Sequence, residues 1–164
     1  MATYEPIATT TLGSAASTIE ITSIPATYTD LRLVLNGLHN TGTTTVRMRV
    51  NSDTGTNYAV GELSGDGSTV ASSRSSTSSR INCGNANFNN TYPSLITADW
   101  FSYAGSTYKT CLITTSQDQN GSGVVYRSVG LWQSTSAITS ITMALGSGEY
   151  AAGTTVSLYG ILKA

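Results

Sequence analysis

Apolar and polar residues take turns along most of this chain, and that period of two constrains its fold more than any other feature. In "TTVRMRVN" (44–51), Val46, Met48 and Val50 fall on one side and Arg47 and Arg49 on the other. Side chains alternate faces in this way in a β-strand, not in a helix. "STIEITSI" (17–24) sets Ile19 and Ile21 against Thr18 and Glu20, and "LRLVLNGL" (31–38) lines up Leu31, Leu33 and Leu35. "SLITADWFSY" (94–103) groups Ile96, Ala98 and Trp100. "TYKTCLITTS" (107–116) separates Cys111 and Ile113 from Tyr108, Thr110, Leu112 and Thr114. "AITSITMAL" (137–145) aligns Ile141, Met143 and Leu145, and the stretch 155–161 aligns Val156, Leu158 and Gly160. "NYAVGEL" (57–63) and "VVYRSVGLWQ" (124–133) read as further strands.

Turn-forming text such as "HNTGT" (39–43), "QDQNGSG" (117–123) and "GSGEYAAGT" (146–154) separates these runs. About eight to ten strands at that spacing predict an all-β fold with no significant helix, an antiparallel β-sandwich of jelly-roll type. An immunoglobulin-like sandwich is the nearest rival, but the Cys…Trp…Cys spacing that would favour it is missing. The 164 residues make one domain, 1–164. Within it, 64–92 changes texture to Ser, Gly and Asn with few apolar anchors. That segment is expected to be a long loop or edge insertion, with room for a short hairpin around Val70 and Ile81.

Charged residues make up only 10% of the chain, against about 25% in an average globular protein. With 8 Lys and Arg scattered against 9 Asp and Glu, no concentrated basic surface for nucleic acid is expected. No apolar run approaches the roughly 20 residues of a membrane-spanning helix. The opening 20 residues lack the basic and apolar regions of a secretory signal, so production in the cytosol is expected. On that reading, the sequons at Asn89 and Asn120 are chance matches in Asn- and Ser-rich text. Cys83 and Cys111 read as reduced thiols, although two positions alone do not decide their pairing. A charge-poor surface suits burial against partners, because desolvating an unpaired ion is costly.

The search for chemistry yields little. His39 is the one histidine, so a Ser-His-Asp triad would need it as base, with Asp30 or Asp53 as orienter. Its place in a turn reads instead as an exposed polar residue. Asp53, Glu62 and Asp66 are candidate calcium ligands, but too sparse for a dedicated site. Asp99 beside Trp100 is the pairing that most resembles a sugar platform, with Trp100 more simply read as core. No cofactor and no metal is expected, and no enzyme. The candidate partner-contact residues are Arg74 and Arg80 in the polar stretch, with Tyr159 and Ile161 on the outer side of the last strand.

Two segments carry a resemblance: "YEPIATTTLGSAASTIEITSIPATYTDLRLVLNG" (4–37) and "AITSITMALGSGEYAAGTTVSLYGI" (137–161). Together they resemble small virion structural proteins of tailed bacteriophages and terminal domains of their tail fibres. The resemblance covers both ends and leaves 38–136 unmatched. It implies a β-sandwich that assembles, commonly as a homotrimer, on a major capsid protein or a tail protein. It implies location in the virion and no catalytic residues. A capsid decoration (cement) protein is the role expected first, a receptor-binding tail protein second, and a carbohydrate-binding module third.

Overall fold

A computed structural model describes residues 3–84 and 88–162. Asn85, Ala86 and Asn87, inside the expected insertion, lie outside the described residues. Fourteen strands run in chain order: β1 (Thr3–Thr11), β2 (Thr18–Ile21), β3 (Asp30–Gly37), β4 (Thr43–Thr44), β5 (Val46–Val50), β6 (Tyr58–Gly65), β7 (Val70–Ser78), β8 (Ile81–Asn82), β9 (Phe88–Asn89), β10 (Ser94–Phe101), β11 (Lys109–Gln117), β12 (Val124–Trp132), β13 (Ile141–Leu145) and β14 (Thr155–Leu162). The described residues form no helix. As expected, the fold is all-β and antiparallel, two sheets stacked as a sandwich.

The larger sheet has eight strands in the order β1-β14-β3-β10-β11-β12-β6-β7. The smaller has four, β2-β13-β5-β8, and β4 and β9 form a separate pair. The inward-facing residues are those the alternation marked. Leu31, Leu33, Leu35, Ile96, Ala98, Trp100, Cys111, Ile113, Val156 and Leu158 are fully buried on the large sheet. Val46, Met48, Val50, Ile141 and Met143 close the core from the small sheet. Burying such side chains is worth about 1.5–3 kcal/mol each and dominates the stability of a chain with few ion pairs.

Two parts of the fold differ from the expectations. β1 was not foreseen, because "TYEPIATTT" lacks clean alternation and carries Pro6. It succeeds as an edge strand, where a missing N–H is tolerated, and its pairing with β14 slips between Pro6 and Ala8. The polar stretch after residue 64 is largely strand: β6 and β7 form a hairpin closed by Asp66–Thr69. Asp66 Oδ1 accepts hydrogen bonds from Ser68 N at 2.9 Å and Thr69 N at 2.6 Å, which fixes that turn. β7 reads as a loop in sequence because both its faces reach solvent. It projects past the small sheet, so neither face demands apolar residues. β14 lies between β1 and β3, so the last described strand is interior to its sheet.

Polar side chains fasten the loops. Lys109 is fully buried, and its Nζ donates to the carbonyls of Gly105 at 2.6 Å and Thr135 at 3.3 Å, and to that of Thr107. Tyr103, also fully buried, donates its hydroxyl to Pro25 O. Gly160 faces the core at the end where Tyr28 folds over it. A Cβ there would lie 2.3 Å from the Tyr28 ring, so an aromatic side chain makes the close approach that a glycine permits here. Gly160→Ala should lower unfolding stability by about 1–3 kcal/mol. In urea titrations, combining it with Tyr28→Ala should cost less than the sum of the two single changes, because the clash is removed with the ring.

Candidate functional site

The outward face of the eight-stranded sheet is the largest surface that the small sheet leaves uncovered. Register places its side chains in four rows that cross the strands. One row runs Pro6, Tyr159, Arg32, Asp99, Leu112, Val129, Gly61, Arg74 across all eight strands. The next runs Thr9, Ser157, Val34, Thr97, Thr114, Arg127, Leu63, Ser72, and a third runs Thr11, Thr155, Asn36, Leu95, Ser116, Val125, Gly65, Val70. The fourth carries Tyr4, Ile161 and Asp30 on one side and Phe101, Thr110, Leu131 and Ala59 on the other.

Six large apolar side chains stand out from this face: Val70 77% exposed, Leu63 52%, Val125 51%, Val129 49%, Phe101 45% and Leu95 44%. Hydroxyl-bearing Ser and Thr fill much of the rest. Arg32 and Asp99 neutralise each other at 3.6 Å. Arg32 also donates to Tyr4 Oη at 3.3 Å. That bond, ahead of the Asp99 charge, holds the guanidinium above its usual pKa.

At one end of the face, the β6–β7 turn and the 118–123 loop flank an open cleft of about 760 Å³. Leu95 and Val125 supply apolar wall, and Asn36, Asp66, Gln117 and Asp118 supply polar rim. The Oδ1 atoms of Asp66 and Asp118 are engaged by their own turns, Asp118 by Gly121 N at 3.0 Å.

Of the four residues expected to meet a partner, three lie on this face. Tyr159 and Ile161 sit half-buried on β14 beside β1, and Arg74 ends the first of these rows on the exposed edge strand. Arg80 does not join them. It lies in the bend between β7 and β8, one residue before the strand that joins the small sheet.

The residues weighed for chemistry prove to be structural. His39 is buried, not an exposed turn residue. Its Nδ1 accepts from Thr41 N at 3.0 Å, so Nε2 carries the proton and donates to Ser147 O at 2.9 Å. With both nitrogens held by backbone, it has none left to serve a nucleophile. Trp100 is fully buried, while Asp99 faces outward against Arg32, so the two do not build a sugar platform. Among the described residues, no three His, Cys, Asp or Glu side chains converge on a metal position. Cys83 and Cys111 are free and buried, and burial pushes the Cys83 thiol up to about 12.

The apolar outward face went unread in the sequence. The signal was present as Leu, Val and Phe at polar-phase positions of β6, β10 and β12, outnumbered by Ser and Thr.

No family model and no curated protein matches the chain. One solved structure that does match is Caenorhabditis elegans galectin LEC-6, at 14% identity over 94% of this chain and 96% of that one, with a TM-score of 0.39. None of these comparisons supports the expected role in capsid decoration or in the tail, and that role is withdrawn. A likeness of this degree transfers no ligand to this chain.

Asp53, weighed as a calcium ligand or triad orienter, instead anchors the 51–57 loop. Its Oδ2 accepts from Trp132 Nε1 at 2.7 Å and Asn57 Nδ2 at 3.0 Å, and its Oδ1 from Gly55 N at 2.8 Å. The bond from Trp132, then that from Asn57, holds the carboxyl below its ordinary 3.8. Because the folded value is the lower one, the stabilisation is complete above 3.8 and is lost as pH falls through the depressed value. Asp53→Asn should therefore cost about 1 kcal/mol at neutral pH. In acid titrations followed by tryptophan fluorescence, the variant should lose less stability than the natural protein below that range.

Proposed function

We propose that the protein is a non-enzymatic binding module that associates with copies of itself through the outward face of its large sheet. The observation that carries this reading is the set of six exposed apolar side chains aligned on one face. Eight strands spaced about 4.8 Å apart and about 26 Å long give a face of about 1,000 Å², and a standard interface buries about 800 Å² per partner. Sheets stack face to face at about 10 Å with their side chains interdigitated. A second copy supplies the chemistry this face needs: aliphatic side chains, hydroxyls and few ions. The Arg32–Asp99 pair is already neutralised within the chain, while Arg74 and Arg127, toward the β7 side of the face, are cations that the interface must leave at its wet rim. Sedimentation velocity should show an oligomer at micromolar concentration. Val129→Asp or Leu63→Asp should raise its dissociation constant about 30-fold or more, while Thr142→Asp on the opposite sheet leaves it unchanged. A natural protein that stays monomeric at 100-fold higher concentration would sink the proposal.

A saccharide in the open cleft is a second reading. It is favoured by the apolar wall of Leu95 and Val125 beside the polar rim of Asn36, Gln117 and Asp118. Sugars present both an apolar ring face and hydroxyls, and such a mixed lining suits them. Retention on a panel of immobilised glycans should fall at least tenfold in Leu95→Asp if the cleft is the site. No retention of the natural protein on any glycan removes this reading.

A further inference from the structure

The outward side of the small sheet has the opposite chemistry. β5 pairs with β8 so that Arg47 lies opposite Asn82 and Met48 opposite Ile81. Met48 and Ile81 are fully buried, so Arg47 and Asn82 point outward. Arg49 on β5 and Arg80, one residue before Ile81, fall in the same phase. Three of the chain's 8 basic residues thus occupy one patch, each half-buried.

Their donors are only partly used within the chain. Arg47 Nη1 donates to Gly146 O at 3.3 Å and Arg49 Nε to Ser79 O at 2.9 Å. Arg80 Nε is buried and has no partner among the described residues. Backbone carbonyls thus hold two of the guanidiniums in place without neutralising them.

No carboxylate does so either. Among the described residues the ion pair is Arg32–Asp99, on the other sheet. Glu20 is the acid on this face, and β13 intervenes, since Thr142 lies between Glu20 and Arg49 in register. That separation is two strand spacings, roughly 10 Å. Glu62, around the edge beside Asn82, has its pKa raised by burial, the opposite of what an arginine partner would cause. Arg47 is lowered by burial first and then by the charges of Arg80 and Arg49. Three like charges, partly desolvated and held together, are unfavourable unless an anion completes them.

We infer that Arg47, Arg49 and Arg80 form a binding site for a tetrahedral oxyanion, a phosphate or sulfate group, on the outward face of β5 and β8. One guanidinium fork is enough to match the two oxygens of a planar carboxylate. Three forks approaching from β5 and the bend before β8 offer more donors and more charge than a carboxylate can use, and suit a dianion with several acceptor oxygens. The site is independent of the self-association face, which lies on the other sheet.

Thermal unfolding and titration calorimetry of the full chain test this, with inorganic sulfate and phosphate, glucose 6-sulfate and glucose 6-phosphate, and acetate. Sodium chloride serves as the control at matched ionic strength. Saturable binding is expected, with Tm raised by about 3–6 °C at ten times the dissociation constant. Arg49→Gln and Arg80→Gln should each weaken it at least tenfold, while Arg80→Lys keeps part of it. Tighter binding of the esters than of the free ions would identify a substituted ligand, and equal binding a free ion. Three results would overturn the inference: equal stabilisation by chloride, preference for acetate, or undiminished sulfate and phosphate binding in folded Arg49→Gln and Arg80→Gln proteins.

Discussion

Leu31, Leu33 and Leu35 hold the sandwich in register. They sit on β3, which is bonded on one side to β14 and on the other to β10, and all three are fully buried. A slip of one residue in either ladder would turn this row out to water and bring Arg32 and Val34 inward. The cost of that exchange fixes β3, and β3 then fixes Val156 and Leu158 on one neighbour and Ile96 and Ala98 on the other. The rows on the outward face are the far side of the same constraint. Each buried leucine dictates which residues of the next strands line up in the open.

Polar residues are spent on holding loops. His39, Asp53 and Lys109 each satisfy backbone groups that the ladders leave over, and each is placed where a catalytic role would also have required a special residue. The difference lies in their partners. A catalytic base keeps one atom free toward a cavity, whereas both His39 nitrogens end on main chain. Lys109 shows the same economy in reverse: its ammonium meets three carbonyls, and burial lowers its pKa.

The sequence was most legible where one face is buried and the other is wet. β3, β5, β10, β11, β13 and β14 all obey that rule, and their core residues could be named from alternation. It was least legible where the rule lapses. β7 has no buried face, so "VASSRSSTS" leaves room for a hairpin around Val70 but lacks the alternation that would fix its extent, and β1 is an edge whose proline breaks the pattern. The outward apolar face hid because each of its rows draws one residue from each of several strands, separated by tens of positions in the chain. Arg47 and Arg49 read as an ordinary wet face until β8 brought Arg80 beside them. His39 was misread because burial in a turn depends on the 146–150 segment, far along the chain, folding over it. The terminal segments 4–37 and 137–161, far apart in the chain, meet in space, since β3 and β14 are neighbours.

β1 and β14 pair along nearly their whole length, with Thr3 opposite Leu162. The two ends of the described chain therefore leave the domain side by side. A pulling force applied there meets the β1–β14 ladder end-on and opens it one bond at a time, like a zipper, instead of shearing all its bonds at once. The mechanical resistance of the domain then rests on what lies behind that zipper, the β3 leucines, and the sandwich can shed its first strand under load while its core remains closed.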